Sequence, residues 1–272
     1  MIGKKIRLAK ILKGGHRTII VAVDHGLTSG PIAGINQLRN LLPVLAAGKP
    51  DALLLHRGAV LAGHWDPAWT CGMIIHLSGS TSLSPDPDAK GIFGTVEEAV
   101  KIGADAVSVH VNLGSATEAE MLRDLGIISS QCREWGMPLL AMMYLRGPKV
   151  RDSFDAKGIA HAARVAAEMG ADIVKVNYSG SPDSFREVLE GCFVPVVIAG
   201  GEKMTDERGV LSTVKEAMDS GAAGVSFGRN VFQHPNPASM LKAINHIIHG
   251  NGTVDGALQW LAKEKVLRRS LK

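Results

Sequence analysis

Eight short apolar runs recur along the 272 residues, separated by segments of helical periodicity, and this alternation restricts the possible folds more than any other feature. The runs are 18–24, 52–56, 72–78, 106–112, 138–144, 171–178, 195–201 and 223–229. Their length and valine-isoleucine content read as buried strands. Between them, Glu118 to Trp135, Ala156 to Met169 and Glu207 to Ser220 place apolar residues on one helical face and charges on the other. Alternating strands and helices imply a parallel sheet, because a parallel neighbour is reached only through a crossover. Eight units predict an α/β chain folded as one (β/α)8 barrel over residues 1–272. A doubly wound open sheet fits worse, since no GxGxxG follows the first run.

An internal echo supports the repeat. Lys101-Ile-Gly-Ala-Asp-Ala-Val, Glu168-Met-Gly-Ala-Asp-Ile-Val and Asp219-Ser-Gly-Ala-Ala-Gly-Val each read as helix end, glycine stop and strand start. Glycine supplies the left-handed conformation that ends a helix. Residues 79–94, rich in Ser, Pro and Asp, read as a long loop after the third strand. Ile6, Leu8, Ile11 and Leu12 predict a short amphipathic N-terminal helix instead of a signal peptide, whose apolar core would be continuous.

Composition excludes several functions. A hydrophobic share of 46% with 21% charged residues is ordinary for a folded domain. The net charge of +4 gathers at the chain ends with no basic stripe between aromatics, so nucleic acid is not an expected partner. No apolar stretch reaches eighteen residues, so no membrane partner is expected. Cys71, Cys132 and Cys192 form no close pair, which fits a reducing cytoplasm.

Barrel enzymes carry their chemistry at the C-terminal strand ends. Here those ends hold Asp24-His25, His56-Arg57, His76, His110-Val-Asn112 and Tyr144-Leu-Arg146, while the sixth run contains Lys175. Strand alternation puts Ile173, Lys175 and Asn177 on one face and Val174 and Val176 on the other. If the valines meet the helices, Lys175 points into the barrel. Desolvation there favours the neutral amine, the form that condenses with carbonyls. Asp24 and Tyr144 add groups able to move protons.

Ala199-Gly200-Gly201 and Gly228-Arg229-Asn230 follow the seventh and eighth strands, where many barrels bind phosphate, and Ser179-Gly180 follows the sixth. Glycines let backbone N–H groups approach an anion, and Arg229 adds a charge-assisted fork. An opposing reading takes His56, His76 and His110 as a zinc site, but they lack the close pair typical of such ligands. No metal is expected. Met142 and Met143 read as packing or pocket-shaping residues, Trp65 and Trp69 as surface-loop residues, and the basic C-terminus as a solvated tail.

Taken together, Val23-Asp24-His25-Gly26, His76-Leu77-Ser78, Met143-Tyr144-Leu145-Arg146-Gly147, Val174-Lys175-Val176, Ala199-Gly200-Gly201 and Gly228-Arg229-Asn230-Val231-Phe232-Gln233 resemble the archaeal-type class I aldolases of the DeoC/FbaB family over nearly the whole chain. The resemblance implies a lysine Schiff base without cofactor or metal. Lys175 would be the Schiff-base lysine, Tyr144 the proton donor or acceptor and Asp24 its acidic partner. Ser179, Gly180, Gly200, Gly201, Gly228 and Arg229 would surround the phosphate of a phosphorylated sugar substrate. The family resemblance also implies a homo-oligomer. Fructose-bisphosphate aldolases of the family can carry Trp two residues before the tyrosine and Pro after it. Here these are Met142 and Leu145; the first weakens sugar bisphosphate cleavage in favour of a transaldolase of aromatic amino acid biosynthesis with aspartate semialdehyde as acceptor, while the second leaves the tyrosine in place and alters only its loop. A barrel that binds a phosphosugar without turning it over is the remaining class; it would need the glycine loops and Arg229 but no reactive lysine.

Overall fold

A computed structural model describes residues 1–14 and 16–270, and side chains up to residue 263. Eight parallel strands close into a barrel: β1 Thr18–Ala22, β2 Ala52–Leu55, β3 Gly72–His76, β4 Ala106–Leu113, β5 Leu139–Leu145, β6 Ile173–Val176, β7 Val196–Ala199 and β8 Gly224–Phe227. Each strand pairs with its sequence neighbours, and β8 returns to β1. Every predicted run overlaps one of these strands, and the barrel expected from the alternation is the one formed.

The period of two sorts the side chains. Ile20, Leu54, Ile74, Leu140, Met142, Ile173 and Val197 pack together inside the barrel. Ile19, Leu53, Ile75, Val107, Ala141, Val174, Val176 and Ile198 pack outward in a second cluster with the helices. Burying one large aliphatic side chain contributes about 1.5–3 kcal/mol, so these layers carry most of the drive to close the sheet.

The N-terminal helix, Ile2–Ile11, seals the floor. Ile11 is wholly buried in the inner cluster, with Leu8 and Leu12 against it, whereas Ile6, expected on the same stripe, is exposed. Two ion pairs of 2.8 Å, Lys4 to Asp172 and Lys10 to Asp105, hold the helix down. Those aspartates belong to a threefold device. Asp51, Asp105 and Asp172 precede β2, β4 and β6, and their carboxylates accept the backbone N–H of Ile19, Met73 and Leu139 at 2.7, 3.0 and 2.9 Å. Each aspartate N–H donates back to the carbonyl of the same residue, so three of the strand pairs begin with a reciprocal lock. The glycines of the echo, Gly103, Gly170 and Gly221, all have positive φ as helix stops should.

Several expectations need correction. Residues 79–94 are not simply a loop, because Ser78–Gly79 pairs antiparallel with Gly91–Ile92 and folds the segment over the barrel mouth. Trp65 and Trp69 are half-buried against the core and edge-on to each other at 5.3 Å. Six of the barrel strands stop earlier than their runs, so Asp24, His56 and Ser78 lie just beyond them, while β4 and β5 extend one residue past theirs and hold Asn112 and Tyr144. The basic tail forms the end of a helix, Val254–Ser270; the solvated-tail reading of its side chains falls outside the described residues beyond Lys263. Among the described residues, no helix is long and apolar enough to cross a membrane.

Candidate active site

The C-terminal mouth of the barrel opens into a cleft of about 260 Å³ lined by Asp24, His56, His76, Lys90, His110, Met142, Tyr144, Arg146, Lys175, Asn177 and Ser226, together with Gly200, Gly201, Gly228 and Arg229. The sequence therefore brings Lys175, Tyr144 and Asp24 to one place. Lys175 shares its inward face with Ile173, lies opposite Met142 in the β5–β6 register and is only 6% exposed. Tyr144, two residues beyond Met142, follows on the same inward row. Its ring rests against His110 at 4.9 Å and beneath the Arg146 guanidinium at 5.1 Å, so its rotation is restricted from two sides.

Asp24 sits just past β1. Burial alone would raise its pKa, but the close approach of the His25 ring and the positive influence of His76, His25 and Lys175 together hold it far below the usual carboxylate range. Its oxygens lie 3.4 Å from His25 Nδ1 and 3.9 Å from His76 Nε2. Asp24 is thus a fixed anion facing the amine, able to exchange protons through hydrogen-bonded partners or water.

The three histidines have separate assignments. His56 Nδ1 pairs with the His76 carbonyl at 3.1 Å, His76 Nδ1 with Ser108 Oγ at 2.8 Å, and His110 Nε2 with Asn112 Oδ1 at 2.7 Å. Burial pushes all three pKa values down, His76 to about 4, and for His110 the charges of Arg146 and Lys90 push the same way. Among the described residues, no group of three or more His, Cys, Asp or Glu side chains is arranged to hold a metal ion.

Another part of the rim carries Gly200, Gly201, Gly228 and Arg229, the residues the sequence suggested for an anion. Gly228 sits where a Cβ would lie 2.4 Å from the His25 ring and 2.9 Å from the Ala22 carbonyl, so only glycine permits this close approach. Asn230 is buried and ties the two loops together: its Nδ2 donates to the Gly200 carbonyl at 2.6 Å, and its Oδ1 accepts from Met204 N at 2.8 Å. Arg229 Nε is buried without a hydrogen-bond partner, and its Nη1 comes no nearer than 4.0 Å to the exposed Glu202. A buried guanidinium N–H left unpaired is costly, and an arriving anion would satisfy it. Ser179 and Gly180 do not line this cleft; the Ser179 hydroxyl pairs with Ser184 Oγ at 2.8 Å, at the start of the next helix.

Sequence reasoning missed several of the cleft's polar residues, Ser226 and Lys90 among them. Ser226 points inward from β8 with no partner for its hydroxyl, a placement that strand alternation could have indicated. Lys90 enters from the folded segment after β3, where no periodicity marks it.

Comparison with known proteins agrees with this geometry. Residues 18–234 match the model of the DeoC/LacD family aldolases. The chain is 45% identical over 239 residues, covering 87% of its length and 86% of the relative, to the 2-amino-4,5-dihydroxy-6-oxo-7-(phosphonooxy)heptanoate synthase of Streptomyces griseus. It is 44% identical over 262 residues, 96% of each chain, to the 2-amino-3,7-dideoxy-D-threo-hept-6-ulosonate synthase 1 of Archaeoglobus fulgidus. Among solved structures, a Schiff-base-forming fructose-1,6-bisphosphate aldolase superposes with a TM-score of 0.84 at 29% identity, covering 90% of this chain and 99% of the other. A closed barrel with an inward lysine at its mouth, and relatives of this likeness along its length, make the chain a class I aldolase belonging to the DeoC/LacD family.

Proposed function

We propose that the chain forms 2-amino-3,7-dideoxy-D-threo-hept-6-ulosonate by transaldol transfer, taking its donor fragment from a 6-deoxy-5-ketofructose 1-phosphate and passing it to aspartate semialdehyde. The observation that carries the chemistry is Lys175, buried and inward beside Tyr144 and the ionised Asp24. The substrate choice is supported by the Archaeoglobus fulgidus relative at 44% identity and by Met142, which stands in the cleft wall where fructose-bisphosphate aldolases of this kind can have Trp.

In this reading Lys175 Nζ adds to the donor ketone to give a carbinolamine, and loss of water leaves an iminium. Asp24 assists the proton transfers of these steps. Tyr144 takes the proton from the hydroxyl next to the scissile bond while the bonding electrons pass into the iminium, giving an unphosphorylated enamine and a free aldehyde that carries the phosphate away. The enamine carbon then attacks the acceptor aldehyde, Tyr144 returns its proton to the new alkoxide, and water releases the product and the amine. Covalent catalysis replaces an unstabilised carbanion by the enamine. Gly200, Gly201, Gly228 and Arg229 hold the phosphate, the role for which the unpaired Arg229 Nε fits.

Fructose-1,6-bisphosphate cleavage is the second reading, favoured by the structural likeness to such aldolases. The test is borohydride trapping with dihydroxyacetone phosphate and with the deoxyketose phosphate, with a chelator-treated sample alongside, followed by peptide mass spectrometry and product analysis with aspartate semialdehyde. An adduct on Lys175 that survives chelation, with a seven-carbon amino acid product, is expected. Fructose 1,6-bisphosphate formed from glyceraldehyde 3-phosphate as the sole product would overturn the substrate assignment. Failure to trap an adduct, with ligand binding intact in Lys175→Met, would indicate the non-catalytic barrel.

A further inference from the structure

Inward side chains of an eight-stranded parallel barrel stack in layers of four, drawn from alternate strands. The register identifies the layer that holds Lys175. Lys175 on β6 pairs with Val197 on β7, and Val197 pairs with Gly224 on β8. Strand tilt advances a level by about one residue per strand, so the β8 side chain at the level of Lys175 is Ser226. The same count in the other direction brings Ser108 of β4 and Leu54 of β2 into that layer.

All four residues are buried, and of the four only Lys175 and Ser226 line the cleft. The cleft therefore reaches its floor between β6 and β8, where β7 contributes only the small Ala199 to the lining. Leu54 needs no polar partner, and Ser108 Oγ has one in His76 Nδ1 at 2.8 Å. Ser226 is 1% exposed, and its hydroxyl has no hydrogen-bond partner among the described residues. A buried hydroxyl left unpaired is costly, and one that borders a cleft can be satisfied by what enters it.

Schiff-base chemistry defines what enters beside Lys175. Addition of Nζ to a ketone leaves one oxygen on the attacked carbon, the carbinolamine hydroxyl. The carbon chain that is to be cleaved runs toward Tyr144, which stands above this layer on the mouth side. The closed floor thus accepts a small substituent of the attacked carbon. A methyl group there would leave the Ser226 hydroxyl unpaired, whereas the carbinolamine oxygen pairs it.

We propose that Ser226 is a further catalytic residue, whose hydroxyl donates a hydrogen bond to the carbinolamine oxygen and speeds its departure as water. In that step the nitrogen lone pair forms the C=N bond as the C–O bond breaks. The oxygen leaves as water with a proton exchanged through Asp24, and Ser226 keeps its own proton. The inference rests on the reading of Lys175 as the Schiff-base lysine and is independent of which donor or acceptor is used.

The test is exchange of the ketone oxygen with water carrying a heavy oxygen isotope, read by mass spectrometry. Hydroxyacetone and dihydroxyacetone phosphate serve as separate probes, with Lys175→Met as background. Each round expels the original oxygen as water and hydrolyses the iminium with labelled water, so the exchange counts passages through the step. Ser226→Ala should slow exchange at saturating ketone by about 3- to 10-fold, the range for losing one hydrogen bond. Its urea midpoint should not fall, because the hydroxyl removed has no partner in the free protein. An unchanged saturating rate overturns the proposal, whatever happens to the ketone concentration at half-saturation. So does a slower rate accompanied by a lowered midpoint, which makes the hydroxyl structural. Failure of the Lys175 reading would show instead in wild type, as exchange no faster than in Lys175→Met and no borohydride adduct at that residue.

Discussion

Mild acid should weaken this fold through His76, and the amount can be worked out. The imidazole lies almost wholly buried beneath the cleft, its Nδ1 paired with Ser108. Burial pushes its pKa to about 4, and His56 and Lys175 add to the depression, outweighing the attraction of Asp24. A base depressed in the folded state stays neutral there while the unfolded chain takes up a proton below its ordinary pKa of about 6.5. The unfolded state thus gains relative to the folded one as pH falls from about 6.5 to 4, and between pH 7 and pH 5 the loss is about 2 kcal/mol. Asp24 adds nothing in that window, because its carboxylate is ionised in both states until pH approaches the ordinary carboxylate range near 4. His76→Asn keeps a polar atom near the Ser108 hydroxyl and removes the titration. Urea unfolding at pH 7 and pH 5 measures the difference: wild type should lose about 2 kcal/mol more than the variant on acidification. Equal losses in the two proteins would show that His76 accepts its proton without unfolding, and the reasoning from burial would be wrong.

Two further outcomes follow from the rim and the barrel seam. Arg229→Met should raise KM for a phosphorylated donor by about 10- to 100-fold, with little change for an unphosphorylated ketone, because it removes a charge-assisted fork; steady-state kinetics with the two donors checks it. Gly224 pairs with Thr18 at the β1–β8 closure with φ of 144°, and a Cβ there would lie 1.9 Å from the Thr18 carbonyl oxygen. Gly224→Ala should therefore cost about 3 kcal/mol or more, read as a lowered urea midpoint, and a variant of wild-type stability would contradict the geometry of the seam.

What the sequence made legible followed from short-range periodicity. Lys175 could be placed inside the barrel because Val174 and Val176 required the other face, and the structure packs both valines among the helices. Gly200, Gly201, Gly228 and Arg229 were legible because their loops follow two successive strands, and the cleft gathers all four. The aspartates of the echo were visible as a repeat. Their reciprocal bonds to Met73 and Leu139 were not, since these depend on the register between neighbouring strands. Lys90 was invisible for a related reason. Its burial depends on Gly91–Ile92 folding back to pair with Ser78–Gly79, a non-local contact inside a stretch without apolar alternation.

The same distinction explains how the cleft divides its work. Residues fixed by strand alternation, Lys175 and Tyr144, are the proposed reacting centre, where a displacement of about 1 Å can cost roughly a hundredfold in rate. The charged groups Arg229 and Lys90 at the cleft rim come from beyond the strands: Arg229 from the β8 loop beside Asn230, and Lys90 from the folded β3 segment, where it bonds Ser80. A loop can change its length and charge without shifting any strand register, so the substrate preference can move while the lysine chemistry stays in place. Two relatives similar along most of this chain bear this pattern in their names: one product keeps a phosphonooxy group at carbon 7 and the other is 7-deoxy, yet both are seven-carbon 2-amino-6-oxo acids. On that reasoning, the determinants separating such enzymes lie on the rim, and exchanging residues 79–94 between relatives should alter acceptor preference while leaving Schiff-base formation at Lys175 intact.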